Sequence, residues 1–387
     1  MTRTLPRPPV RRVAGLAALG VVVVVLLTLS ARFTGHFDLK VYYGATRAWL
    51  HGGDLYGYVE HGRDRDYGFT YPPFAALVLA PLALLPWPAA VVALDAATIG
   101  ATLAVLHRLA GPVRKVDRAL LLTGGLLLAV ALDPWRATFN YGQVNVLLLA
   151  LVAADLLVLL PRGHRLTGAL IGVAAAVKLV PALFILYLLL TRRWRAAATA
   201  SLTAAGVTLL MWAVAPGAST AYWTGHLWQS SRIGDPAFVS NQSLNGAVHR
   251  LGAPGALWLA LALAVLGFWA WAVRRTADPL AGLALTGAVA CLVSPITWVH
   301  HLVWLIPALV LLAREKLVVA LVAYTFLCSR LVWRFNGRYA GWGQLGADTY
   351  LLVTLLLLAA VPAVLCLDRP GVGAPPSVDP IRGGGTL

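Results

Sequence analysis

Apolar runs long enough to enter or cross a bilayer recur along the whole chain, separated by short segments that are basic or rich in aromatic and polar residues. They lie at residues 13–31, 74–85, 88–109, 119–132, 144–160, 167–190, 196–215, 256–273, 280–293, 299–313, 317–333 and 349–367. A continuous run near 20 residues reads as a spanning helix. Composition agrees, since 59% of the 387 residues are hydrophobic and 12% charged, with a mean hydropathy of +0.77. Soluble domains do not reach these values. The pattern predicts an all-α polytopic membrane protein with one domain over residues 1–367, because spans sharing a lipid-facing surface form a single unit. Residues 368–387, rich in Gly and Pro without periodicity, read as a disordered cytoplasmic tail.

A net charge of +16 would suit nucleic acid, but most Lys and Arg sit in short clusters between apolar runs. Cytoplasmic loops of membrane proteins carry that bias, so topology explains the charge and nucleic acid is not an expected partner. Arg3, Arg7, Arg11 and Arg12 precede the first run as in a secretory signal, yet no A-x-A site follows it. The run reads as a retained helix that starts in the cytoplasm. Residues 32–87 then form the first external loop. Within it, 74–85 is a helix at the outer interface, because a crossing there would put Arg108, Arg114, Lys115 and Arg118 outside.

The run 167–190 has basic residues at both ends, Arg162/Arg165 and Arg192/Arg193/Arg195. One crossing cannot satisfy both ends. A broken pair turning near Lys178-Leu179-Val180-Pro181 can, since proline kinks the backbone and removes a donor. The count becomes about twelve crossings, each of ordinary length, with both termini cytoplasmic. Cys291, Cys328 and Cys366 show no CxxC or metal-ligand spacing and read as small core residues.

On this topology five polar-aromatic stretches fall outside: Phe37 to Tyr43, Tyr71 to Phe74, Asn140 to Asn145, Asn241 to Asn245, and Ser294 to His301. Their convergence suggests a site, although wet loops are polar for that reason alone. Asp38 could take the proton from an attacking hydroxyl, or simply cap a helix; Asp54, Asp64 and Asp66 look more like turn residues. Lys178 lies in an apolar stretch, where a charge costs roughly 2.5–3.5 kcal/mol on insertion scales. A lipid phosphate is a natural partner, and Asp95 or Asp155 are alternatives, as is snorkelling. His300 and His301 stand near Trp298 and Trp304, which could share a face with them or act as interfacial anchors. Adjacent histidines without a carboxylate cluster do not suit a metal. Asn140, Gln143 and Asn145 open a helix whose N–H groups could hold an anion, or they cap it. Arg330, Arg334 and Arg338 breach the positive-inside tendency, which points to an anionic group or to misplaced last spans.

These motifs resemble those of the GT87 glycosyltransferases, with the GT-C membrane fold. The matching stretches are Asp38-Leu39-Lys40-Val41-Tyr42-Tyr43 with Gly53-Asp54-Leu55-Tyr56, Tyr71-Pro72-Pro73-Phe74, Gly142-Gln143-Val144-Asn145, Lys178-Leu179-Val180-Pro181, Asn241-Gln242-Ser243-Leu244, and Ser294-Pro295-Ile296-Thr297-Trp298-Val299-His300-His301. They run in family order. The resemblance implies a GT-C-type bundle with external juxtamembrane helices. It also implies inverting transfer of mannose from polyprenyl phosphate to a hydroxyl of a glycolipid or cell-envelope glycan, on the extracytoplasmic face of the plasma membrane, with an α-1,2 linkage expected. Asp38 matches the family's catalytic aspartate, and one of the two histidines matches a residue near the donor phosphate. No cofactor, nucleotide-sugar site or essential metal is implied.

With that chemistry, His300, His301, Lys178, Arg334, Tyr71, Asn140, Gln143 and Asn145 are candidates for the donor phosphate and sugar. Asn241, Gln242, Asn245 and Trp298 are candidates for the acceptor or a sugar ring. The family also contains arabinofuranosyltransferases, which leaves the sugar open. A transporter or lipid flippase is the rival from another class, since broken helices and a buried lysine suit that architecture too.

Overall fold

Proline and glycine cut the apolar runs into shorter helices, and those cuts assemble the interior. The computed structural model describes residues 35–62, 66–111, 118–229 and 232–367, together with positions 15, 18, 20, 22, 25 and 27 of an N-terminal helix. The four N-terminal arginines, Asp64, Arg114, Lys115 and the tail 368–387 lie outside the described residues.

Helix α1 (Phe37–Leu50) follows Gly35 and His36, both in left-handed backbone. It leads into a hairpin of β1 (Val59–His61) and β2 (Asp66–Gly68), paired antiparallel with Glu60 opposite Tyr67. Helix α2 (Pro73–Ala83) starts with proline at its first position, where the missing N–H has no intrahelical role. At 11 residues it is about 16 Å long and cannot cross a hydrocarbon core near 30 Å. The non-spanning helix expected at 74–85 is present.

Then come α3 (Trp87–Ala110), α4 (Arg118–Ala131), α5 (Asp133–Tyr141) and α6 (Asn145–Ala154). The chain bends by 83° between α4 and α5, with Pro134 in the first turn of α5. The run expected to break near Lys178 does so: α7 (Ala169–Val177) stops at Lys178, which is extended at φ −150°, and α8 (Leu183–Leu190) resumes after a 3₁₀ turn at Val180–Ala182. The remaining helices are α9 (Trp194–Val214), α10 (Pro216–Thr224), α11 (Leu244–Arg250), α12 (Gly255–Val273), α13 (Pro279–Val293), α14 (Ile306–Glu315), α15 (Leu317–Ser329), α16 (Trp342–Ala347) and α17 (Thr349–Leu367).

Among the described residues four helices have the length and apolarity of a full span: Trp87–Ala110, Asn145–Arg162, Trp194–Val214 and Gly255–Val273. The bent pair α4–α5 makes a fifth, and five shorter apolar helices accompany them. Apolar length in the sequence therefore overstates continuous helix. The run 299–313 opens as a 3₁₀ turn (Val299–Leu305), and the run 317–333 stops at Ser329, where Arg330 turns left-handed.

Helix α13 is the centre of the bundle, buried from Leu280 to Leu292 and packed by α8, α12, α14 and α17. The long helices turn residues such as Leu202, Leu209, Leu259 and Leu263 outward. Hydrocarbon replaces water around such a girdle, so this is a membrane-embedded helical protein.

Candidate active site

A cavity of about 540 Å³ opens where α1, the loop before α2, the α5–α6 corner, the break at Lys178, the segment 222–240 and the loop 294–301 meet. It is of the size ligand sites usually have. Its wall carries Asp38, Tyr71, Gln143, Lys178, Trp298, His300 and His301 from the candidate set.

Four of these form one hydrogen-bonded relay with Asp38. Gln143 Nε2 donates to Asp38 Oδ2 at 2.6 Å. The Tyr71 hydroxyl donates to Gln143 Oε1 at 2.8 Å and accepts from Tyr42 at 2.8 Å and from Lys178 Nζ at 3.0 Å. Lys178 also donates to Asn145 Oδ1 at 2.8 Å and to His301 Nε2 at 3.0 Å. Its three protons are thus all used. The break in the helix explains how: extended backbone at Lys178 swings the side chain out of the α7 ladder, and its ammonium lies 4.8 Å from the centre of the Tyr71 ring.

The lysine's alternative partners are engaged elsewhere. Asp95 meets His36 at 3.0 Å, and Asp155 accepts the backbone N–H groups of Gly168 and Ile171 at the start of α7. Lys178 therefore sits in neutral company and is not paired with a carboxylate by direct contact.

Asp38 is half-buried on α1. Burial pushes its carboxyl up to about 6, against the Gln143 hydrogen bond and the Lys178 charge, which both pull it down. A carboxylate tuned this close to neutrality suits a general base.

The two histidines differ. His301 holds Lys178, whereas His300 is buried with its Nε2 unpartnered and lies on the cavity wall. The backbone of His300 is fixed from behind, its carbonyl accepting from Thr138 Oγ1 at 2.8 Å and Asn145 Nδ2 at 3.3 Å. Trp298 lines the cavity edge-on to Phe238, but Trp304 packs on Phe184 in the core and is not an interfacial anchor.

The other candidates stand off the wall. Asn145 works behind it through Lys178 and His300, and Val144, not Asn145, holds the cap position of α6. Asn140 presents its carbonyl to the His36 N–H. Arg334 is exposed and outside the lining. Asn241, Gln242 and Asn245 pin loops together: Asn241 and Asn245 donate to Pro295 O, while Gln242 donates to Val239 O and Ala347 O and accepts from the N–H groups of Tyr350 and Leu351. They hold the loop that carries Trp298 and the histidines. Arg330, one of the arginines against the charge bias, is neutralised by buried Asp133 at 3.2 Å.

Sequence reasoning missed the segment 222–240, which adds Tyr222, His226, Arg232 and Phe238 to the wall, and also Trp333, while Tyr141 joins the wall from within the stretch Asn140 to Asn145. The aromatic density of 222–240 between two apolar runs was the available signal. Arg232 donates to Tyr56 O at 3.2 Å beside the hairpin.

The model of glycosyltransferase family 87 matches residues 69–295, which include most of this wall. The chain is 38% identical over 315 residues, 74% of its length and 71% of the relative's, to the polyprenol-phosphate-mannose-dependent alpha-(1-2)-phosphatidylinositol mannoside mannosyltransferase of Mycolicibacterium smegmatis. It is 36% identical over 353 residues, 86% of its length and 75% of the relative's, to the corresponding phosphatidylinositol pentamannoside mannosyltransferase of Mycobacterium tuberculosis. A solved structure, ArnT from Cupriavidus metallidurans bound to undecaprenyl phosphate, is similar at a TM-score of 0.43 and 17% identity, over 91% of this chain and 78% of that one. With the family model covering more than half of the chain and relatives matched over more than two thirds of their length, this membrane-embedded enzyme belongs to glycosyltransferase family 87.

Proposed function

We propose that this glycosyltransferase moves a mannosyl residue from a polyprenyl-phosphate carrier to a hydroxyl of a mannosylated, phosphatidylinositol-type glycolipid, with inversion and an α-1,2 linkage, on the extracytoplasmic face. The observation that carries the reading is the relay from Asp38 through Gln143 and Tyr71 to Lys178, which gives one cavity a base and a cationic end. The donor and acceptor are taken from the names of the mycobacterial relatives. Those names favour mannose over arabinofuranose.

The acceptor O–H gives its proton to Asp38 as its oxygen bonds to the sugar's anomeric carbon. The bond from that carbon to the phosphate oxygen breaks, and its electron pair leaves with the phosphate. Attack from the face opposite the leaving group inverts the centre. Gln143 engages Asp38 Oδ2, so Oδ1 is the oxygen for the incoming hydroxyl. Lys178, its protons held by Tyr71, Asn145 and His301, faces the departing phosphate with its charge, and the unpartnered His300 Nε2 offers a donor, where both count for most in the transition state. The polyprenyl tail lies along apolar lining such as Leu179 and Val180.

The test is reconstitution of the full chain in liposomes with labelled polyprenyl-phosphate mannose and a phosphatidylinositol mannoside. The expected product carries one more α-1,2-linked mannose. Movement of the labelled carrier between leaflets without any new glycosidic bond would instead establish a flippase.

A further inference from the structure

We infer that His36 and Asp95 form a latch that positions Asp38, an inference resting on the reading of Asp38 as base. Asp38 is the second residue of α1, and His36 immediately precedes that helix with φ 55°. Left-handed backbone is uncommon for a residue with a side chain, and it persists where the surroundings over-determine it. Here they do. The His36 N–H donates to Asn140 O at 3.0 Å, its Nε2 lies 3.0 Å from Asp95 Oδ1 and 3.2 Å from Oδ2, and its ring meets Phe139 edge-on.

The partner is as telling as the strain. Asp95 lies about 12 Å along the otherwise apolar first two-thirds of α3, the ninth residue of that helix. An ionisable group on a membrane span marks a function, with its partner as the first place to look. That partner stands two residues before the base. It is not Lys178, nor any other residue of the relay.

The latch closes on the same corner that carries Gln143. Gly142 ends α5 at φ +69°, and a Cβ there would come within 2.6 Å of the Leu39 Cβ and 3.4 Å of the His36 Cβ. Glycine thus lets α1 press against the α5–α6 corner, and the His36–Asp95 contact ties the same end of α1 to α3. With α1 held from both sides, Asp38 and Gln143 keep their 2.6 Å contact. His36 and Asp95 are positioning residues, acting through Asp38 without touching substrate.

The experiment measures kcat and donor KM in liposomes for His36→Ala, Asp95→Leu, the double variant and Asp95→Asn, beside Asp38→Asn. The latch predicts that each of the first two lowers kcat by about 10²-fold, the loss expected of misplacement near 1 Å, with donor KM unchanged. The double variant is no slower than the slower single one, because the two residues make one contact. Asp95→Asn keeps an oxygen for His36 and recovers most of the turnover that Asp95→Leu loses. Wild-type kcat in His36→Ala, losses that multiply in the double variant, or a rise in KM at constant kcat would overturn the latch. Should His36→Ala fail to fold, equal turnover of Asp95→Leu and Asp95→Asn overturns it. Full turnover in Asp38→Asn removes the base itself, a failure separate from that of the latch.

Discussion

Gln143 fixes the state of Asp38 from one side: its Nε2 donates to Oδ2 at 2.6 Å, and its Oε1 is taken by the Tyr71 hydroxyl at 2.8 Å. With its oxygen occupied, the amide can turn only its NH₂ to the carboxylate. A donated hydrogen bond favours the charged form, so Gln143 works against the burial that lifts the Asp38 carboxyl to about 6.

The pH dependence follows from that balance. As the proposed general base, Asp38 acts when ionised, so kcat/KM is expected to be level near neutrality and to fall as pH drops through about 6. Gln143→Leu removes the donor, which shifts the acid limb to higher pH and lowers the rate at neutrality. Profiles of kcat/KM against pH for both proteins check this. Superimposable acid limbs would detach Gln143 from the base.

The two histidines should separate by readout. His300→Ala removes a ring whose Nε2 has no protein partner, so the fold tolerates it while affinity for polyprenyl phosphate drops. His301→Ala deprives Lys178 of one of its three acceptors, at a cost of about 1–3 kcal/mol for a buried group left unsatisfied. We expect the larger fall in thermal stability from His301→Ala and the larger loss of phosphate binding relative to stability from His300→Ala. The reverse ranking would exchange their roles.

Much of this site was legible because the chemistry-bearing residues are rare in an apolar chain. Lys178 within a run, with basic clusters at both its ends, forced a break there, and the break is what aims the ammonium into the cavity. What stayed hidden depends on pairing across long separations. Asp95 meets His36 across 59 residues, and nothing local to either predicts it. Asn241 and Gln242 looked like sugar-binding amides because an amide carries the same donors and acceptor whether it faces a ligand or a neighbouring carbonyl. Trp304 looked interfacial because its burial against Phe184 requires the 3₁₀ turn, which hydropathy does not register.

Gln242 makes that distinction testable. It joins four backbone groups, accepting from Tyr350 and Leu351 at the start of α17 and donating to Val239 and Ala347. Gln242→Leu is isosteric in outline but orphans buried groups at about 1–3 kcal/mol each. The variant should melt well below the parent, while the fraction still folded at low temperature keeps its donor KM. A raised KM with unchanged melting would return Gln242 to the sugar site.

The orientation of the cavity can be tested at Arg334, which is exposed beside Trp333 on the wall. Extracytoplasmic chemistry requires this turn to face outward, because Trp333 and the relay share one cavity. In a background with Cys291, Cys328 and Cys366 replaced, Arg334→Cys should react in intact cells with a maleimide that cannot cross the membrane. Exposure removes burial as an excuse for silence, and Arg334 makes no contact with the relay, so the substitution leaves the chemistry alone. Labelling that appears only after permeabilisation would put the cavity on the cytoplasmic side. The donor's phosphate would then have to be met from that leaflet, and the assignment of the first loop to the outside would fail with it.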